Sequence, residues 1–475
     1  MLTRKRDKTM NQSFYCYLLT IALLLVTIKS PPLSADWIKD PAQNMPICRA
    51  KNEQHFPNLA PDGRGGLIVA WRDARNENRD VFAQRVSATG EMMWPNDGVP
   101  ICDLRVPQSW PFVIADKSGG AIIVFGDFRH GNQDIFAQRV DKDGQLLWEK
   151  DGVSVCVNPT LQDDVKAISD GEGGAIVVWE DWRDGNQDIY AQRIDSNGTP
   201  VWPVNGVPVY AGTGDQYDPI LASDGTGGAI FVWFDISTPD FDIFAQRINA
   251  AGKPVWGDNG LAVCTGNGNQ GGPVVCPDGS GGAYVVWPDH RDDPNIFASA
   301  DIYGQRINAT GKLLWDQNGI SICKGPANQQ KPQIRNDGTG DLIVVWQDDR
   351  DVFFDIYAQR LSGNGKPMWD VNGIAVSAAA GEQREPRLVS VDSRGVIIYW
   401  RDFREDYGNT TADAIYAQRI DADGKALWAL NGIPVCTANG DQILPRAIAD
   451  GKGGAFIVWS DTRHGEHDIY IHRVP

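Results

Sequence analysis

Acidic and basic side chains recur along this chain at one fixed spacing. The motif Trp-x-Asp-x-Arg, with Phe for Trp in one copy and no Arg in another, where Ile236-Ser-Thr-Pro follows Asp235, places a carboxylate two residues before a guanidinium. Residues two apart on a strand point the same way, so the pair can form an ion pair or take part in acid–base chemistry. The aspartates are Asp73, Asp127, Asp181, Asp235, Asp289, Asp348, Asp402 and Asp461. A catalytic site requires such groups once, so their repetition favours a structural role.

Clustered oxygen donors follow two of these motifs. Asp181, Asn186 and Asp188 form one group, and Asp127, Asn132 and Asp134 form its counterpart. Hard cations bind clustered oxygens, so calcium is the alternative to a purely structural loop here. No other cofactor is expected, because the eight Cys and six His form no Cys-x-x-Cys or mixed Cys/His metal pattern.

The elements that position these motifs repeat eight times. An aromatic residue ends a short apolar run at Trp71, Phe125, Trp179, Trp233, Trp287, Trp346, Trp400 and Trp459, in steps of 54 or 59 residues. Within the third copy, Gly-, Asn- and Asp-rich turns separate four short strands: 165–169, 175–181, 188–195 and 199–209. Units of four antiparallel strands, apolar on both faces of the second strand, are typical of β-propeller blades. We therefore predict an all-β, eight-bladed β-propeller.

The two ends of the chain predict how the ring closes. The last copy stops after its third strand, while residues 36–55 supply an outer strand without a blade, so these residues complete the blade formed by 443–475. In residues 1–35, the basic residues Arg4, Lys5, Arg6 and Lys8 precede the apolar run 17–28, and small residues precede Asp36, which predicts a signal peptide. Residues 36–475 are then one exported propeller, periplasmic, cell-surface or extracellular, with no membrane span after signal removal.

A third register of tryptophans follows each third strand. These residues are Trp37, Trp94, Trp148, Trp202, Trp256, Trp315, Trp369 and Trp428. We assign them to the outer strands, where each packs against the neighbouring blade. Six cysteines end outer strands at Cys48, Cys102, Cys156, Cys264, Cys323 and Cys436, too far apart between blades for disulfides, so we expect buried thiols.

The hairpins that carry these tryptophans resemble those of known propellers. Asp141-Lys-Asp-Gly-Gln-Leu-Leu-Trp148 and Asp421-Ala-Asp-Gly-Lys-Ala-Leu-Trp428 resemble the tryptophan-docking turn of quinoprotein-type propellers and, more loosely, the Asp-box of sialidase-type propellers. Both spacings differ: the quinoprotein turn places its glycine one residue later, and the Asp-box one residue earlier. The resemblance implies propeller architecture for nearly all of residues 36–475 and is weak for activity.

Residues that depart from the repeat are the candidates for ligand binding. Blades 5 and 7 have longer loops between their second and third strands, and the position between the repeated Asp and Arg varies. The candidates are Phe56, Trp110, Phe128, Trp182, Tyr217, His290, Phe403 and Tyr407. The first five predict an aromatic crescent over blades 1 to 4 that stacks on sugars or binds a peptide, and packing between neighbouring loops is the alternative.

Repetition leads us to expect a non-catalytic, exported binding module for a protein or glycan, without catalytic residues. Three alternatives remain: a sialidase-like glycan-active enzyme, a quinoprotein-like dehydrogenase and an envelope assembly scaffold. For the sialidase-like enzyme, Arg291, Glu405 and Tyr407 are available as site residues. The formal net charge of -17 disfavours nucleic acid as a partner, because an acidic surface repels phosphate backbones. The sequence leaves the oligomeric state open.

Overall fold

The computed structural model describes residues 37–475 except 293–298, 326, 393–394 and 405–412. This part of the chain forms 32 strands, beginning with β1, Met45–Cys48. Blades 1 to 4 comprise β2 Gln54–Pro61, β3 Leu67–Asp73, β4 Asp80–Val86, β5 Val99–Cys102; β6 Phe112–Ala115, β7 Ala121–Asp127, β8 Asp134–Val140, β9 Val153–Cys156; β10 Gln162–Ser169, β11 Ala175–Asp181, β12 Asp188–Ile194, β13 Val207–Tyr210; β14 Gln216–Ser223, β15 Ala229–Asp235, β16 Asp242–Ile248, β17 Leu261–Cys264. Blades 5 to 8 comprise β18 Val274–Pro277, β19 Ala283–Asp289, β20 Asp301–Ile307, β21 Ile320–Cys323; β22 Gln329–Asn336, β23 Leu342–Asp348, β24 Asp355–Leu361, β25 Ile374–Ser377; β26 Gln383–Asp392, β27 Gly395–Asp402, β28 Ala414–Asp421, β29 Ile433–Cys436; β30 Gln442–Ala449, β31 Ala455–Asp461, β32 Asp468–Val474 and β1.

The strands form eight four-stranded antiparallel sheets, which confirms the predicted eight-bladed propeller. In each blade the first strand is innermost and packs beside the first strands of the neighbouring blades. The eighth sheet has the order β1-β32-β31-β30, with Met45 opposite Ile471 and Pro46 opposite Tyr470. Ring closure by the N-terminal strand is therefore confirmed. In the described residues, no helix is long and apolar enough to cross a membrane.

Local chemistry explains the second strand of each blade. In blade 3 the strand 175–181 is fully buried on both faces, as its run of Ala, Ile, Val and Trp requires. The turn before it is fixed by Asp170, whose Oδ1 accepts the backbone N–H groups of Glu172 at 2.7 Å and Gly174 at 2.8 Å. Gly171 and Gly173 supply the positive φ values that this turn needs.

The motif at the end of the second strand is structural, as predicted. In blade 3 the buried Asp181 carboxylate accepts the Trp179 indole N–H at 2.7 Å and pairs with Arg183 at 2.6 Å. The Arg183 guanidinium lies over the Tyr190 ring at 3.8 Å and donates to the carbonyl of Asn205. The aspartate thus connects the strand end, the following turn and the start of the outer strand.

The third register of tryptophans lies in a different place from the one predicted. Trp148 and Trp202 are located in the connection that precedes the outer strand, because the outer strands are only four residues long. The predicted contact with the next blade is present: the Trp148 indole N–H donates to the carbonyl of Ser196 at 3.2 Å. The same contact joins Trp37 to Ala88, Trp94 to Lys142, Trp202 to Ala250, Trp256 to Ala309, Trp315 to Gly363 and Trp369 to Ala422.

The cysteines behave as predicted. All seven in the described part of the chain are free and buried, and Cys16 lies outside it. Burial raises the pKa of Cys156 to about 12 and that of Cys264 to about 11, so these thiols stay protonated and unreactive at neutral pH.

The tryptophan contact between blades predicts a difference between two glycines of blade 3. A Cβ on Gly198 would approach Trp148 Cδ2 to 2.9 Å, whereas a Cβ on Gly185 would meet nothing within 4 Å, although both residues have positive φ. Gly198→Ala should therefore lower the free energy of unfolding by about 1 to 3 kcal/mol more than Gly185→Ala. Urea unfolding of both variants measures this difference, and equal losses would show that the contact is unimportant.

Candidate functional site

One face of the ring carries the residues that differ between blades. The inner strands begin on this face, and the second strands end on it. Side-chain hydrogen bonds join the loops of this face to one another. For example, Asn186 in the loop between the second and third strands donates to the carbonyls of Gly212 and Gly214 in the connection to blade 4. The loop and the connection between blades therefore share one mouth of the central channel.

A β-bulge at the start of most inner strands presents one residue per blade at this mouth. In blade 3 the register shifts between Asp163 and Lys166, and Asp164 between them has φ 46°. Bulges re-aim side chains, and such conformations cluster at functional sites. We call the eight equivalent residues the mouth ring: Phe56, Trp110, Asp164, Asp218, Gly272, Lys331, Glu385 and Leu444. Unlike the rest of the repeat, this ring has apolar, acidic and basic sectors.

A carboxyl group with a raised pKa lies beside the acidic sector of the mouth ring. Glu180, at the end of the second strand of blade 3, is 7% exposed, and burial raises its pKa to about 7. The backbone N–H of Asp218 donates to its Oε1 at 2.9 Å, and the charge of Asp164 raises the pKa further. Asp164 pairs with Lys166 at 2.7 Å, and the Asp218 side chain is exposed. Carboxyl groups in such different environments can act as an acid and a base.

A cavity of about 410 Å³ adjoins the acidic sector between blades 4 and 6. Asp218 forms one side, and Phe234 and Phe241 form an apolar wall. The rings of Tyr217, Phe234 and Phe241 stack in series, with centroids 5.5 and 5.6 Å apart. His290 and Lys331 supply polar groups on the far side. Aromatic faces beside carboxylates suit a sugar, whose rings have apolar faces and polar edges.

A second cavity, of about 210 Å³, lies at the apolar sector of the mouth ring. Phe56 and Trp110 line it with ring centroids 5.4 Å apart, and Trp110 remains 47% exposed. Leu444 closes the third side of the mouth, and Arg446 lies in the wall below. The two cavities have no lining residue in common.

The structure divides the predicted aromatic crescent. Phe56 and Trp110 share the second cavity, and Tyr217 stacks beside the first. Among the described residues, no ring contact joins Phe128 or Trp182 to them; both residues hold their loops through backbone N–H bonds to Pro107 and Leu161, respectively.

The other predicted candidates are also separated. His290 lines the first cavity, and its Nδ1 lies 2.8 Å from the carbonyl oxygen of Ser299. Phe403 lies under the Arg401 guanidinium at 5.5 Å, and Tyr407 is outside the described residues. Ligand binding by any of these residues stays a prediction.

The residues considered for calcium form hydrogen bonds within their loop. Asp181 is paired with Arg183, and Asn186 donates its amide N–H to Asp188 at 2.9 Å. Burial raises the pKa of Asp188 to about 6. In the part of the chain that the structure describes, no three His, Cys, Asp or Glu side chains are grouped to hold a metal. Calcium binding here also stays a prediction.

Sequence reasoning missed Glu180, Asp164 and Asp218 as a group. A signal was available at Glu180, because aligning the repeats shows no other acid at its position, whereas Asp164, Asp218 and Glu385 share one repeated position. The aromatic residues were chosen instead because Trp110 and Trp182 lie outside the repeated tryptophan registers.

Comparison with known proteins finds distant structural similarities. No family model matches this sequence, and no curated protein sequence matches it. Solved structures do: a polysaccharide lyase, Uly1, at 9% identity and TM-score 0.46, covers 88% of this chain and 90% of its own. A puromycin-hydrolysing peptidase of Mycobacterium tuberculosis has 14% identity and TM-score 0.44, covering 90% of this chain, which spans only 60% of the peptidase. An α-L-arabinanase of Penicillium chrysogenum has 11% identity and TM-score 0.38, with 66% and 93% covered.

This comparison contradicts the prediction of a non-catalytic binding module. The prediction rested on repetition, whereas the similar structures include an arabinanase and a polysaccharide lyase. Repeated residues build the ring, and a few unrepeated ones are enough for chemistry. At these identities and TM-scores the likeness carries no argument about chemistry, for which this chain's own residues are the evidence.

The buried Glu180 predicts a pH-dependent stability difference. The folded chain keeps this proton up to about pH 7, while the unfolded chain releases it near the ordinary value of 4.5. Between these values the folded state binds more protons, so the contribution of Glu180 to stability falls as pH rises. Glu180→Gln should therefore be more stable than the wild type at pH 8 by about 1 to 3 kcal/mol, with little difference at pH 4. Urea unfolding at both pH values measures this, and a pH-independent difference would contradict the raised pKa.

Proposed function

We propose that this chain is a glycan-active enzyme whose acid–base groups are Glu180 and Asp218. The observation that carries the proposal is the buried Glu180 carboxyl group, with a pKa of about 7, bound to the backbone of an exposed aspartate at the edge of an aromatic cavity. Catalytic acids of glycosidases have this property, because they must be protonated near neutral pH.

The two carboxyl groups have complementary roles in glycosidic bond cleavage. Glu180 donates its proton to the glycosidic oxygen as the bond to the anomeric carbon breaks. Asp218, exposed in the cavity wall, accepts a proton from the attacking water, so that the acid and the base are both regenerated by proton exchange with solvent. Lys166 pairs with Asp164 beside them, which limits the negative charge near Glu180.

The aromatic wall supports the same substrate class. Phe234 and Phe241 offer stacked rings to the sugar, and Asn269, His290 and Lys331 offer polar groups to its hydroxyls. Such a combination of apolar faces and few polar groups orients a sugar without a metal-binding cluster.

Of the three residues first considered for a sialidase-like site, the structure describes only Arg291. Arg291 is paired with Asp289 at 2.6 Å and donates to the carbonyl of Asn318, so it has a structural role. Glu405 and Tyr407 lie outside the described residues. Export from the cytoplasm and the quinoprotein-like or Asp-box-like character of the hairpins stay predictions, and an extracellular glycan would agree with export.

Activity on polysaccharides tests the proposal. The residue 36–475 chain should release reducing ends from at least one member of a panel of neutral and acidic polysaccharides that includes arabinan. Glu180→Gln should lower kcat at least 100-fold, because the proton donor is lost while the hydrogen bond to Asp218 can be kept.

Glu172→Gln is the matched control, since Glu172 is an exposed glutamate in the same blade. It should leave kcat unchanged. Equal activity of the wild type and the Glu180 variant on a cleaved substrate would remove Glu180 from the mechanism, and no cleavage of any panel member would refute the proposed activity.

A further inference from the structure

Two arginines on the channel wall have no anionic partner among the described residues. Arg387 and Arg446 are each the first paired residue after the bulge in the inner strands of blades 7 and 8, which pack side by side. Neither forms a hydrogen bond or ion pair with the described part of the chain, and the Nε of Arg446 is buried without a partner. By contrast, Arg404 and Arg463 in the same blades pair with aspartates at 2.6 Å.

The two guanidinium groups are close enough to affect each other. Burial lowers the pKa of Arg446 to about 10, and the charge of Arg387 lowers it further. Glu385 is the nearby acid, but its carboxylate is already bound to Arg401 at 3.0 Å. Both arginines also act on the buried hydroxyl of Tyr399, whose pKa burial raises. Uncompensated positive charge in a partly buried position is costly unless an anion binds there.

The cavity above Arg446 has the shape and chemistry for one ring. Its volume, about 210 Å³, is half that of the cavity beside Asp218, and its lining residues include Phe56, Trp110, Leu444 and Arg446. The exposed Trp110 leaves an aromatic face free for stacking. An anion with an apolar face therefore fits better than a bare inorganic ion, which makes no use of the aromatic wall.

We propose that this second cavity binds an acidic sugar residue, with its carboxylate on Arg446, whose charge Arg387 reinforces, and its ring on Trp110. Arginine is suited to this role because its planar donors match a carboxylate. The inference takes its ligand class from the proposed function and names the kind of sugar, while its residues are separate from Glu180. The net charge of -17 opposes long polyanions, so a single terminal uronate is the group that this site selects.

Calorimetric titration with defined oligosaccharides tests the inference. The probes are trigalacturonate, its methyl ester, a hyaluronan tetrasaccharide that ends in glucuronate, and inorganic sulfate. At least one uronate oligosaccharide should bind, and the methyl ester, which lacks only the charge, should bind at least 10-fold more weakly than trigalacturonate if trigalacturonate is the ligand. Arg446→Met and Trp110→Ala should each weaken uronate binding at least 10-fold. Arg64→Met, an exposed arginine in a turn at the other end of the blades, should leave it unchanged.

Several outcomes would overturn the inference. The first is that neither uronate oligosaccharide binds, and the second is that wild type and Arg446→Met bind the same uronate equally well. The third is that trigalacturonate binds and its methyl ester binds with equal affinity. The fourth is that sulfate binds as tightly as the uronate, which would indicate a simple anion site. The Tm of Arg446→Met and of a second variant, Arg387→Met, should equal or exceed that of the wild type, because an unpaired charge is removed. A fall in both would indicate a structural role and contradict the assignment.

Binding is measured without turnover, so the two proposals fail separately. Glu180→Gln should bind the uronate with wild-type affinity. An inactive protein that binds uronate through Arg446 refutes only the enzymatic proposal, and an active protein that ignores uronate refutes only this inference.

Discussion

The ring depends on a contact seen at six of the eight blade interfaces in the described residues, where one backbone carbonyl accepts two donors from the preceding blade. At the first interface the carbonyl of Lys142 accepts the Trp94 indole N–H at 3.1 Å and the Arg85 guanidinium at 3.0 Å. Arg85 is anchored in turn by the buried Asp62 at 2.8 Å. Because two rigid side chains converge on one acceptor, the contact sets the position of each blade on the next. The same pair of donors recurs at five further interfaces, on Ser196, Ala250, Ala309, Gly363 and Ala422.

Repetition of this contact frees other positions to vary. Once the blades are fixed, the inner strands must surround a channel, and the bulged residue of each strand lies at its mouth. Blade 3 therefore contributes Asp164 and blade 4 contributes Asp218, while blades 1 and 2 contribute Phe56 and Trp110. The architecture uses the repeated residues, and the chemistry uses the unrepeated ones, so one ring can present an acidic sector and an apolar sector on the same face.

Periodicity decides what the sequence can reveal. The blade count and the Asp181–Arg183 type of pair were predictable because each recurs in steps of 54 or 59 residues, and the closing strand because the last copy stops after its third strand. Trp148 was assigned to a strand and lies in the connection before it, since the sequence does not show how short the outer strands are. The contact that Arg85 makes with the next blade needed coordinates, because it depends on which carbonyl of that blade lies within reach. Glu180 and Arg446 were missed because their properties arise from burial and from neighbours in other blades. Judging the chain non-catalytic treated repetition as if it applied to every position.

The titration of Glu180 is the most direct test of the central claim that the mouth holds a buried glutamate whose pKa lies near 7. Carbon-13 NMR of the protein labelled at glutamate side-chain carboxyl groups follows each glutamate between pH 3 and 9. The structure predicts one resonance with a midpoint near pH 7 that is absent from Glu180→Gln. If every glutamate titrates near pH 4.5, or if the resonance near pH 7 survives in the variant, the proposed acid is not Glu180 and the account of the site is wrong.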